Sequence, residues 1–83
     1  MTYRCIIIDD EDLARELLET HLQYFPELQL VGSYGSAIAA RGVDFAQIDL
    51  LFLDIEMPVL KGTDFFKHLS PAPAVIFTTA YRE

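Results

Sequence analysis

The sequence predicts an α/β protein built on a doubly wound parallel sheet with strand order 2-1-3-4. Short apolar runs alternate with amphipathic stretches along the chain, the rhythm of repeated strand-helix units. The runs CIII and LLFL are apolar at consecutive positions, as strands covered on both faces are. Right-handed crossovers leave few topologies for such a chain, and 2-1-3-4 fits best.

Each element follows from a local pattern. Tyr3 to Ile8 reads as a buried strand that stops at the acidic stretch Asp9, Asp10, Glu11 and Asp12, the start of a helix. From Glu11 to about Tyr24 the apolar residues Ala14, Leu17, Leu18, Leu22 and Phe25 recur every three or four positions, an inner stripe that docks on a sheet. Pro26 ends it. Leu28 to Tyr34 is a second strand, punctuated by Gly32 and Gly35. Ser36 then caps a short alanine-rich helix to Arg41, with Gly42 as its stop. Ile48 to Leu53 is the third strand, Gly62 to Leu69 a helix facing inward through Phe65, Phe66 and Leu69, and Ala74 to Thr79 the fourth strand.

Composition sets the outer bounds. A chain of 83 residues supports one modest core, hence a single domain over 1–83 at most. No apolar run approaches the ~20 residues of a membrane span, and no secretory leader pattern opens the chain, so a cytoplasmic setting without membrane contact is expected. The single cysteine, Cys5, lies in an apolar run and is expected to pack as a small hydrophobe. The formal net charge of -7 argues against direct nucleic-acid binding by this segment and favours a cation as ligand.

Carboxylates sit where the pattern otherwise demands core. In the order 2-1-3-4 the first and third strands are neighbours, and the chain departs from them in opposite directions, opening a crevice beyond their carboxyl ends. Asp9 and Asp10 end the first strand and Asp54 ends the third, about one ~4.8 Å strand spacing away. Three such groups repel one another unless a cation neutralises them, and an all-oxygen set suits magnesium. A carboxylate held beside a metal and a helix start can attack phosphorus to give an aspartyl phosphate, which makes Asp54 the candidate nucleophile. Thr79 could offer a hydroxyl to a phosphoryl oxygen, and Ala80 is small enough to leave the entrance open.

The segments CIIIDDEDLARELL, LLFLDIEMPVLKG and AVIFTTAY resemble the receiver domain of bacterial two-component response regulators, a flavodoxin-like (CheY-like) fold. Their wording is most similar to regulators with a LytTR DNA-binding output. The resemblance implies a phosphoacceptor rather than a turnover enzyme, with at most self-phosphorylation from small phosphodonors. It implies that Asp54 takes a phosphoryl group from a sensor histidine kinase, and that Asp10 and Asp54 ligate magnesium. Asp9 would assist through water, Glu56 through its backbone carbonyl, and Thr79 would be the switch hydroxyl.

A receiver continues with a further helix, a fifth strand bearing a catalytic lysine, and a last helix, whereas this sequence stops at Glu83. It is therefore expected to be a partial receiver without that lysine, since Lys61 and Lys67 both precede the fourth strand. The strand AVIFTT, interior in a complete receiver, is then an apolar edge, and self-association through it is expected. Other readings stay open: a non-switching receiver fragment that binds magnesium or self-associates, and a haloacid-dehalogenase-like phosphatase. The phosphatase family's first motif sets a second aspartate where Glu56 stands. Nucleotide binding is disfavoured because no glycine-rich loop follows the first strand.

Overall fold

The computed structural model describes residues 1–55 and 73–78. Among the described residues, four strands form one parallel sheet in the order β2-β1-β3-β4, as the sequence predicts: β1 (Tyr3–Ile8), β2 (Leu28–Tyr34), β3 (Leu50–Asp54) and β4 (Ala74–Thr78). One α-helix, α1 (Asp12–Leu22), connects β1 to β2. It is slightly shorter than the periodicity suggests, because backbone turns at Tyr24 and Phe25 close its end before Pro26.

The sheet has apolar side chains on both faces, and the period-two alternation of its strands sorts them. Ile6, Ile8, Leu51 and Leu53 point to one side, where Ala40 and Ile48 complete a buried cluster with Tyr34, Val43 and Phe45 against it. Cys5, Ile7 and Phe52 point to the other, under Leu22 and Leu18 of α1. The central position of β1 explains why Cys5 to Ile8 are all buried, since strands and cover enclose them on every side.

The helix expected over Ser36 to Arg41 is not formed. Its first step is present, since the Ser36 hydroxyl accepts the Ala39 N–H at 3.0 Å. Beyond it, Arg41 and Val43 donate to carbonyls three residues back, so the segment runs as successive tight turns. Six residues between two glycines are too few for propagation to offset the cost of nucleating a regular helix. The turns still bring Ala40 into the core. The third strand begins at Leu50 rather than Ile48, because a 3-10 turn over Phe45–Gln47 occupies the approach. Asp44 caps that turn by accepting the Ala46 N–H. Leu17 and Phe25, expected on the inner stripe, are 60% and 51% exposed, leaving Leu18 and Leu22 as the docking residues of α1. The expected helix Gly62 to Leu69 lies outside the described residues.

β1 and β2 carry a bulge. Cys5 pairs with Leu30 and Ile6 with Gly32, so Val31 is the extra residue. A side chain at Gly32 would meet the Tyr34 ring at 2.7 Å, so the glycine leaves space for the ring to lie back along its own strand.

Candidate metal and phosphoacceptor site

Register builds the site. Ile8 on β1 pairs with Leu53 on β3. The next residues, Asp9 and Asp54, therefore lie side by side where the apolar runs end. Asp54 also pairs with Thr78, so it stands between two neighbours in the sheet and is only 4% exposed. Asp9 is 8% exposed, and Asp10 is exposed. One carboxylate oxygen from each of Asp9, Asp10 and Asp54 lies within 4.8 Å of the others.

The turn that carries Asp9 and Asp10 is held by three hydrogen bonds through Asp9. The Asp9 N–H donates to the Tyr34 carbonyl at 3.0 Å, which fixes the end of β1 to the end of β2. Its carboxylate Oδ1 accepts the Glu11 N–H at 2.9 Å and so starts the turn into α1. Its carbonyl accepts from Nη1 of Arg15 at 2.6 Å, and Nη2 of the same guanidinium pairs with Asp12. Beyond Asp54 the backbone remains joined to β4, with the Ile55 N–H donating to the Thr78 carbonyl.

The chemistry of this set fits a small hard cation. Two oxygens bound to one magnesium ion at about 2.1 Å are at most about 4.2 Å apart. The oxygens of Asp9, Asp10 and Asp54 all lie within 4.8 Å of one another, a cluster compact enough to share one ion directly or through its bound waters. The N-terminus of α1 opens beside the same residues and adds a partial positive charge that favours an anionic group there. An electrophilic phosphoryl group could thus be held between a cation and a helix start, within reach of a carboxylate.

The structure brings together Asp9, Asp10 and Asp54 as the sequence predicts. Glu56, Thr79 and Ala80 lie outside the described residues. Reading the sequence alone missed Arg15, because its role depends on α1 folding back over the end of β1. Its spacing of three from Asp12 is the one local hint.

A profile for the "Response regulator receiver domain" matches residues 5–83. The chain belongs to that family. It is similar to the transcriptional regulatory protein BtsR of Escherichia coli K12, with 39% identity over 83 residues covering 96% of this chain and 35% of BtsR. The chain thus spans about a third of that relative's length. Among solved structures it is similar to the receiver domain of the response regulator NarL from Mycobacterium tuberculosis, at 26% identity and a TM-score of 0.82, covering 99% of this chain and 69% of the other. It is also similar to the MaeR response regulator bound to beryllium trifluoride, at 25% identity and a TM-score of 0.81, covering 100% of this chain and 70% of that one. The receiver fold in this chain is the flavodoxin-like α/β type, and the acidic crevice lies at the carboxyl ends of its two central strands. No helix among the described residues is long and apolar enough to cross a membrane.

Proposed function

We propose that this receiver is the phosphoacceptor of a phosphorelay, and that Asp54 takes a phosphoryl group from a sensor histidine kinase. The convergence of Asp9, Asp10 and Asp54 at the ends of β1 and β3 in a chain of this family carries the proposal. An oxygen of the Asp54 carboxylate attacks phosphorus as the bond from phosphorus to the donor breaks, leaving an aspartyl phosphate and the released donor. With a histidine donor, the leaving imidazole takes up a proton.

The residues share the work. Asp10 and Asp54 would ligate magnesium directly, Asp9 through water, and Glu56 through its backbone carbonyl. When bound, the ion supplies positive charge to the phosphoryl oxygens. The α1 N-terminus lies on the same side and favours the incoming anion. The Thr79 hydroxyl would receive a phosphoryl oxygen after transfer, beside the small Ala80. Burial of Asp54 keeps its carboxylate in one orientation, so the attacking oxygen needs little reorganisation. The MaeR structure supports this reading, since it holds beryllium trifluoride on a protein of the same fold.

The 83 residues belong to the receiver of this proposal, and its output is transcriptional control, as the name of BtsR suggests. The LytTR type rests on the wording of the three motifs. Intact-protein mass after incubation with magnesium and acetyl phosphate tests the reading. A gain of one phosphoryl group, about 80 Da, is expected, and its loss with EDTA or in Asp54→Ala. A chain that gains nothing while still binding magnesium would be a metal-binding module, and the phosphoacceptor reading would fall.

A further inference from the structure

We infer that Arg15 is a positioning residue for the metal ligands, acting by pinning the peptide that joins Asp9 to Asp10. The inference rests on the reading of Asp9, Asp10 and Asp54 as a magnesium site. Asp10 is exposed, so packing does little to aim it. What aims it is the plane of the preceding peptide, because the carbonyl of Asp9 and the N–H of Asp10 belong to one rigid unit. Nη1 of Arg15 holds that carbonyl at 2.6 Å.

The guanidinium is itself held. Its second arm pairs with Asp12, and the Arg15 side chain is only 19% exposed. Gly35, just past β2, makes room for it: a Cβ there would lie 3.1 Å from Nη1. The backbone of Gly35 is not left-handed, so what the glycine contributes is space, and a Cβ there would require the guanidinium to give by a few tenths of an ångström. Three segments thus meet on one planar cation, and two of the candidate ligands ride on the turn it clamps. The fork geometry suits Arg and not Lys, which offers a single point charge.

Charge and positioning predict opposite outcomes, which makes the inference testable. Through space, a guanidinium beside the site repels a divalent cation, so charge alone predicts tighter magnesium binding when Arg15 is neutralised. Positioning predicts weaker binding, roughly tenfold, the lower end of the range for groups that orient metal ligands. The experiment is calorimetric titration of magnesium into wild type, Arg15→Met, Arg15→Lys and Gly35→Ala, with thermal melts of each in EDTA. Arg15→Met is expected to bind about tenfold more weakly. Arg15→Lys and Gly35→Ala, which keep the charge, should move the same way by less, while the melts in EDTA stay near wild type. Should Arg15→Met fail to fold, the two charge-keeping variants decide the matter by the same criterion. Magnesium binding in the variants as tight as wild type, or tighter, overturns the role of Arg15 alone. No magnesium binding by wild type overturns the metal site and this inference with it.

Discussion

Single side chains in this receiver are set either by the sheet interior or by the crevice at its end. Cys5 is buried in β1, and its thiol donates to the Tyr3 carbonyl. Burial pushes its pKa up, and the nearby Asp49 carboxylate pushes it further. The folded state therefore holds the thiol proton more tightly than the unfolded chain. That contribution is intact below the unfolded value of 9.0 and is lost as the pH rises through the folded value. Urea midpoints should accordingly fall less between pH 8 and 10 for Cys5→Ala than for wild type, and iodoacetamide should label native Cys5 far more slowly than the urea-unfolded chain. Asp54 was legible in the sequence because a carboxylate interrupts an apolar run, an arrangement that burial alone does not favour. Arg15 was not, since its partner is a backbone carbonyl reached only after the helix turns back.

At the level of elements, the strands are specified by their neighbours and the connections by their own length. Leu22 closes the cluster under α1, whereas Leu17 on the same helix faces outward. Leu22→Ala should cost about 2–5 kcal/mol and Leu17→Ala less than about 0.5 kcal/mol, read from urea unfolding midpoints. Helical periodicity marked both residues as inner, because a spacing of three to four fixes a broad stripe and leaves its edges to the actual docking angle. β1 and β2 were readable to the residue, since Asp9 and Gly35 punctuate their ends. The segment after β2 was not, because Ala37 to Ala40 are good helix formers in a stretch too short to nucleate. Glu56, Thr79 and Ala80 belong to the proposed site but lie outside the described residues.

On the scale of the whole molecule, four parallel strands and a covering on both faces bring distant carboxylates to one end. Asp9 and Asp54 are separated along the chain, and only the crossover topology makes them neighbours. The same order leaves β4 at the end of the described sheet, with Ile76 and Phe77 exposed. The central claim is that the fold delivers phosphate to one particular carboxylate of three. Borohydride reduces an acyl phosphate to an alcohol, so peptide mapping after acetyl phosphate treatment and reduction identifies the acceptor directly. Homoserine at position 54 is the predicted result; conversion of Asp9 or Asp10 instead, or of none of the three, would contradict it.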